Sequence, residues 1–531
     1  MILTVGRTSC RRVAVVLGSV LALTACLIAT GSFAQEKIRL AVGSKNFPEN
    51  RLLAEMFARL IESRTGITVD RRLNLAGTQV CFEALQSGDI DLYPEYTGTG
   101  LVILLGEEPG GDAPTTFARV RSEFREQWNL EWLDPLGFEN AYEIAVPKEV
   151  AETHGLRTIS DLARVSGDLS AGLGYEFMER DDGLPGLERI YGLRFKDVKG
   201  MQQALKYQAA GARRIDVLDV YTTDGRLLVH ELVVLRDDRG FFPPYEAAAL
   251  VRGETIAEHP EVRETLELLS GRLDEDTMRG LNLRLQEEGD TVEQVAQDAL
   301  EDLGLVEEAE VTSVSSRGRN FFTYTWANRS ELGRRTAQHV GLSALALALG
   351  VLSAVPLGLF LERRRTVAEP VIRGIGVTQT IPSIALLAIM IPVFGIGTLP
   401  AVVALWIYSI FPIVRNTYSG VRDAAPDAVR AALALGMTEG QALIQVRLPL
   451  AAPVIMAGIR TAAVITVGTT TLAAFIGAGG LGVPIVSGLQ LADNKIILSG
   501  AIPAAVLAVL VDVLLEFVEK KLTPRGLETR A

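Results

Sequence analysis

The chain has 531 residues, 48% of them hydrophobic and 22% charged, and that length means two or more domains. Charge is unevenly spread: residues 36–332 carry a net of −21, whereas residues 333–531 carry a net of +6 and include long uncharged runs. An acidic part joined to an apolar part with basic loops excludes a simple cytosolic enzyme and argues against nucleic acid as a partner.

Arg7, Arg11 and Arg12 precede an apolar run from Val13 to about Ala29, and Ser32-Phe33-Ala34 offers small residues for cleavage. Residues 1–35 therefore read as a secretory signal. Leu23-Thr24-Ala25-Cys26 also resembles a lipoprotein processing site, and a retained anchor helix is a third reading. All three export the domain that begins at residue 36. Three cysteines cannot build a disulfide framework, and Cys81, the one outside this segment, reads as a small buried hydrophobe. His154, His230, His259 and His339 are scattered, with no spacing that suggests a metal site, so neither metal nor cofactor is expected.

Residues 36–310 alternate short β-rich runs with helical patterns, which predicts an α/β domain. Residues 38–42 alternate like a strand. From Asn50 to Ile61, Leu52, Leu53, Met56, Phe57, Leu60 and Ile61 share one helical face. An internal repeat recurs at an offset of 125: Glu83-Ala84-Leu85, Ile90-Asp91-Leu92 and Tyr96-Thr97 match Gln208-Ala209-Ala210, Ile215-Asp216-Val217 and Tyr221-Thr222. Each copy reads as a helix leading to a strand that ends at Tyr-Thr. Two similar lobes would put these tyrosines at equivalent strand ends, where open α/β sheets bind ligands. The paired acids Asp181-Asp182, Asp237-Asp238 and Glu307-Glu308 read as solvated surface.

From about 37 to 305 the chain resembles the osmoprotectant (glycine betaine/choline/carnitine) substrate-binding proteins of ABC importers. The segments that carry this are Val42–Phe47, Gly77–Gln79, Tyr93–Gly100, Asp182–Gly186, Thr223–Arg226 and Gly240–Tyr245. The resemblance implies a two-lobed periplasmic-type fold that closes on its ligand. It implies a quaternary-ammonium cage at Tyr96, Tyr142, Tyr221 and Tyr245, with Lys45, Thr99 and Arg180 at positions that hold a ligand carboxylate. The chemistry fits independently. A trimethylammonium has no N–H to donate, and aromatic faces attract it by about 0.5–2 kcal/mol each. A carboxylate calls for cationic and hydroxyl donors. Two departures stand out: Arg213 where many relatives have Gly, and Cys81 where an aliphatic is common.

Residues 311–332 are polar and suit a tether. Apolar runs occur at about 339–361, 371–394, 398–414, 450–475 and 496–518, the third of them short for a span. The Arg/Lys bias places Arg363–Arg365, the 415–447 loop and Lys520–Arg525 inside, and residue 332 outside. Arg460, inside the fourth run, reads equally as a structural ion pair or helix cap and as part of a transport pathway.

Residues 333–525 resemble the permease subunit of the same importers, on Thr378–Ser383, Phe411–Tyr418, Gly436-Met437, Leu448-Pro449, Gly458–Ala462 and Phe475–Gly482. The family's cytoplasmic signature is Glu-Ala-Ala followed by Gly and later Leu-Pro. Here Arg430-Ala431-Ala432 replaces Glu-Ala-Ala, while Gly436, Leu448 and Pro449 fit. The resemblance implies that residues 426–449 form a helix that couples to a separate ATPase subunit, and that two copies work together. No phosphate-binding loop Gly-x-x-x-x-Gly-Lys-Ser/Thr occurs in the sequence.

The expected organisation is a signal or anchor over 1–35, an α/β two-lobed substrate-binding domain over 36–310, a linker over 311–332 and an all-α polytopic permease domain over 333–531. The expected activity is import of glycine betaine-like quaternary amines across the inner membrane, with the binding domain outside. The alternatives are import of another betaine-like molecule such as ergothioneine, or a membrane-anchored receptor without transport. No catalytic constellation points to an enzyme.

Overall fold

The structure, a computed structural model, describes residues 39–109, 111–309, 318–491 and 493–522. The expected signal segment, with Cys10 and Cys26, lies outside the described residues. Two compact units are distinguished, one of residues 36–329 with 484–499 and the other of 330–483 with 500–531.

The first unit is built on two five-stranded sheets with the same plan. One runs β2-β1-β3-β10-β4, from β1 (Arg39–Lys45), β2 (Thr68–Leu75), β3 (Leu92–Tyr96), β4 (Leu130–Trp132) and β10 (Ala247–Arg252). The other runs β7-β6-β8-β5-β9, from β5 (Tyr142–Pro147), β6 (Ser170–Leu173), β7 (Asp197–Gly200), β8 (Val217–Tyr221) and β9 (Leu232–Leu235). In each sheet two parallel pairings are followed by two antiparallel ones, so that only β10 in the first and β5 in the second run against the other strands. The chain crosses between lobes twice, between β4 and β5 and between β9 and β10. The two crossings pair through a bridge between Glu139 and Glu246, with the Asn140 N–H donating to the Tyr245 carbonyl at 3.0 Å.

The apolar stripe read from the sequence lies on the helix Pro48–Thr65, where Leu52, Leu53, Met56, Phe57, Leu60 and Ile61 are all buried in the core that this helix shares with the first sheet. Cys81 is buried as well, and burial holds its thiol well above the ordinary range. The repeat is structural: the helix Thr78–Ser87 leads into β3, which ends at Tyr96, and the helix Gln203–Gly211 leads into β8, which ends at Tyr221.

Two expectations about the acidic pairs need correction. Asp182 has no exposed surface and is paired with Arg180, and Asp237 accepts the Phe241 and Phe242 N–H groups at 2.6 and 3.0 Å. Asp181, Asp238, Glu307 and Glu308 are exposed, as expected. Charge adjacency in sequence does not report which carboxylate a turn directs inward.

The second unit is helical. Its helices are Arg329–Arg363, Arg365–Val377, Ser383–Phe394, Thr398–Arg422, Pro426–Ala434, Glu439–Ala442 and Leu448–Thr470, and the chain continues through Gly482–Leu491 and Asn494–Leu522. Among the described residues, four helices are long and apolar enough to cross a membrane, five spans if a bent pair counts as one. The bent pair corrects the second expected run: a 97° bend separates 365–380 from 383–394, at Ile381-Pro382, where proline cannot continue the ladder. The third run, short in sequence, extends to a 25-residue helix because its polar end stays helical through Arg422. Part of the expected tether is ordered, with a helix at Phe321–Ala327.

Helix packing here relies on small residues, as expected where lipid removes the hydrophobic drive between helices. A Cβ on Gly458 would lie 2.5 Å from Asn416 Cβ, and one on Gly358 would lie 2.7 Å from Thr417 Cβ. Arg460 forms a forked pair with Asp512 of the last helix and approaches Glu516 at 3.4 Å. Of the readings open in the sequence, the ion pair is the one observed.

Candidate ligand-binding site

A cleft in the first unit is lined by Lys45, Asn46, Phe47, Gly77, Thr78, Tyr96, Thr99, Asn140, Tyr142, Glu176, Arg180, Tyr221 and Tyr245. All seven residues singled out from the sequence for this site stand in that wall. Strand register explains part of the convergence. Tyr142 at the start of β5 is the direct partner of Tyr221 at the end of β8, and their ring centroids are 5.0 Å apart. Tyr96 ends β3, and Thr99 follows on the turn Thr97–Thr99. Tyr245 comes from the second crossing and packs on that turn. Only glycine fits there, since a Cβ on Gly98 would lie 2.6 Å from the Tyr245 ring. Tyr142 and Tyr245 meet edge to face at 5.9 Å and 89°.

The phenols are anchored away from the ring faces. Tyr245 donates to Asp182 Oδ2 at 2.5 Å, Tyr96 to Glu49 Oε1 at 2.8 Å, and Tyr221 to the Tyr142 oxygen at 3.5 Å. Burial raises the pKa of all four, so they stay neutral donors. The protein's own cations already lie over two of the rings, Lys45 Nζ at 5.2 Å from the Tyr96 centroid and Arg180 Cζ at 5.4 Å from that of Tyr142.

Both cations also have internal carboxylate partners. Lys45 Nζ donates to Glu95 Oε1 at 2.5 Å, and Arg180 grips Asp182 through Nε at 2.7 Å and Nη2 at 2.5 Å. A ligand carboxylate would therefore join existing ion pairs; it would not meet bare charges. The buried hydroxyl of Thr99 lines the same wall.

Sequence reasoning missed several lining residues. Phe47 is the clearest: its ring stacks on Tyr96 at 6.1 Å and on Tyr221 at 6.4 Å, which adds a fifth aromatic to the wall. Asn46, Phe47, Gly77 and Thr78 lie inside motifs already noted, so a signal existed. Asn140 and Glu176 lie in no such motif.

In the helical unit, Arg430, Ala431 and Ala432 lie on the helix Pro426–Ala434, with Arg430 76% exposed and paired to Asp427 one turn back. Gly436 breaks the helix at φ +87°, and a capping box between Thr438 and Gln441 starts the next turn. Leu448 and Pro449 open the helix Leu448–Thr470. Leu435, at 85% exposure, projects from the same loop.

Residues 38–302 match the family described as the substrate-binding domain of the ABC-type glycine betaine transport system, and residues 347–524 match the binding-protein-dependent transport system inner membrane component. Among curated relatives, the choline transport system permease protein OpuBB of Bacillus subtilis is 46% identical over 201 residues, which cover 38% of this chain and 93% of that protein. The carnitine transport binding protein OpuCC of Listeria monocytogenes is 36% identical over 275 residues, 50% of this chain and 89% of that protein. The ergothioneine transport permease/ergothioneine binding protein EgtU of Helicobacter pylori is also 36% identical over 275 residues, 51% of this chain and 48% of that protein.

Proposed function

We propose, on the premise that this chain belongs to the ABC importer family in which a glycine betaine-type binding domain and a permease domain share one polypeptide, that it captures and imports quaternary amines of the betaine class. The observation that carries this reading is the cleft wall itself: Tyr96, Tyr142, Tyr221 and Tyr245 converge with their hydroxyls tied outside the faces. Such a wall offers π-faces to a cation that cannot be hydrogen-bonded. Thr99 and the Lys45 and Arg180 pairs would meet a carboxylate at the other end.

In this reading the binding domain works on the outer face of the inner membrane. The bias of Arg and Lys across the loops supports that side. A separate ATPase subunit drives transport and is felt through residues 426–449, and two copies of the chain form the pathway. The domains are 36–310 for binding, 311–332 for the join and 333–531 for the permease, after a signal or anchor over 1–35.

Ergothioneine is the second candidate ligand, favoured by the 36% identity with EgtU over 275 residues. It too pairs a trimethylammonium with a carboxylate. The deciding experiment is calorimetry of the full chain in nanodiscs against glycine betaine, choline, carnitine and ergothioneine. Tight binding of one of them is expected. Absence of binding to all four would reject the cage.

A further inference from the structure

Behind Tyr96, outside the cleft wall, sits a carboxylate that no ion pair among the described residues explains. Glu49 is 3% exposed and lies in the first turn of the helix Pro48–Thr65. Its Oε1 accepts both the Tyr96 hydroxyl at 2.8 Å and Asn140 Nδ2 at 2.6 Å. Its Oε2 accepts Asn282 Nδ2 at 2.8 Å. That Asn282 nitrogen also donates to the Thr223 carbonyl at 2.9 Å.

The three partners, and Thr223 behind Asn282, come from four different places. Tyr96 ends the central parallel strand of the first lobe. Asn140 lies on the crossing between β4 and β5. Thr223 follows β8 of the second lobe, and Asn282 lies on the helix Glu275–Leu283. The second-lobe loop is itself pressed on that helix: Arg279 Nε donates to the Thr222 carbonyl at 2.7 Å, and a Cβ on Gly225 would lie 2.2 Å from the Leu283 nitrogen. One carboxylate thus joins a cleft tyrosine, the crossing and both lobes.

We propose that Glu49 is a positioning residue for ligand capture: its carboxylate fixes the Tyr96 phenol in the cleft wall and ties it to the crossing through Asn140 and to the second lobe through Asn282 and Thr223.

The chemistry requires an acid at this place. Its three partners Tyr96, Asn140 and Asn282 are all donors, two on one oxygen and one on the other, and a carboxylate accepts on both. A glutamine would turn an N–H₂ toward another donor. The amides agree: Asn140 Oδ1 and Asn282 Oδ1 are buried without a partner, so their nitrogens have been turned to the carboxylate at the expense of their oxygens. Burying a carboxylate without a cation is costly, and a structure keeps it where several donors depend on it. The phenol–carboxylate bond also leaves more electron density in the Tyr96 ring, the face that a cationic ligand would meet.

The affinity part of this inference rests on the cage reading above; the part about the crossing does not. The test uses the full chain in nanodiscs with three variants, Glu49→Gln, Tyr96→Phe and the double variant, and glycine betaine, choline, carnitine and ergothioneine as probes. Glu49→Gln is expected to weaken the tightest-binding probe by tenfold or more. Since Glu49 acts through the Tyr96 hydroxyl, the double variant should bind no worse than the weaker single one, a breach of additivity that a residue merely propping up the helix would not show. Hydrogen exchange without ligand should rise at residues 136–141 and 222–226 in Glu49→Gln. If Glu49→Gln does not fold, Tyr96→Phe and Asn140→Ala replace it, because both act on the same oxygen and should also be non-additive. Wild-type affinity in Glu49→Gln, losses that multiply in either pair, or unchanged exchange at both segments would overturn the proposal. If wild type binds none of the probes, the cage reading fails and the exchange data alone decide the role of Glu49 at the crossing.

Discussion

Arg180 and Asp182, two residues apart, form a forked ion pair at 2.7 and 2.5 Å inside the cleft, with side-chain exposures of 9% and 0%. The pair gives a split expectation for Arg180→Ala. Removing the guanidinium leaves Asp182 buried with only the Tyr245 hydroxyl, which should cost on the order of 3 kcal/mol of stability. Adding Asp182→Asn removes the orphaned charge and should restore much of the melting temperature. In that double variant a carboxylated ligand such as glycine betaine should lose more affinity than choline. Thermal unfolding and calorimetry check both halves; equal losses for the two ligands would contradict a carboxylate-facing role.

The tyrosine faces should matter more than the hydroxyls at Tyr221. Its O–H makes only a 3.5 Å contact with Tyr142, whereas its ring stacks with Phe47 and lies tilted against that of Tyr142. Tyr221→Ala should weaken binding of a quaternary amine about tenfold or more, 1.4 kcal/mol being tenfold, while Tyr221→Phe should keep most of the affinity. Calorimetry that finds the alanine variant as tight as wild type would remove Tyr221 from the cage.

Arg213, at a position where the family resemblance leads one to expect Gly, has φ +54°, in the left-handed region that favours glycine. Its pair with Glu149 at 2.6 Å is highly exposed on both sides and offsets little. Arg213→Gly relieves roughly 1–2 kcal/mol of backbone cost and gives back part of it as unfolded-state entropy, a net gain of about 0.5–1 kcal/mol. A denaturation midpoint that falls would refute this.

Gly436 should be required for its backbone conformation. Its φ is +87°, and a Cβ there would touch nothing within 4 Å among the described residues. A larger side chain here would therefore act through the backbone conformation or against the proposed ATPase subunit. Gly436→Trp should lower uptake and ligand-stimulated ATP hydrolysis in the assembled complex, and Gly436→Asn should be tolerated better. Ligand affinity should not change. Normal uptake in a properly inserted Gly436→Trp variant would end the coupling role of this loop.

Glu139, on the crossing, has its pKa raised above the ordinary 4.5, first by burial, with the Tyr245 N–H pulling the other way and Glu275 adding to the rise. Between 4.5 and the raised value the fold binds a proton that the unfolded chain does not. Stability contributed here is present at low pH and is lost as pH rises through that window. Glu139→Gln should therefore gain on wild type between pH 4.5 and pH 7, as read from denaturant midpoints across that range. A constant gap would show that Glu139 is not responsible.

Much of this protein was legible in its one-dimensional pattern. The stripe from Leu52 to Ile61 and the repeated helix–strand units ending at Tyr96 and Tyr221 report local burial, which periodicity encodes directly, and the apolar runs report helices apolar enough to cross a membrane. The cleft residues at motif positions were legible by resemblance. What remained hidden was every feature that depends on which distant segment arrives opposite. Asp182 and Asp181 look alike in sequence, yet the turn at 181–183 sends one to Arg180 and Tyr245 and leaves the other in solvent. Arg460 has a partner 52 residues away, and Glu49 gathers partners 47, 91 and 233 residues away. A buried polar group is specified by its partners, and no local period records them. Sequence alone therefore determined which faces are buried, and tertiary structure decided how the charges buried with them are satisfied.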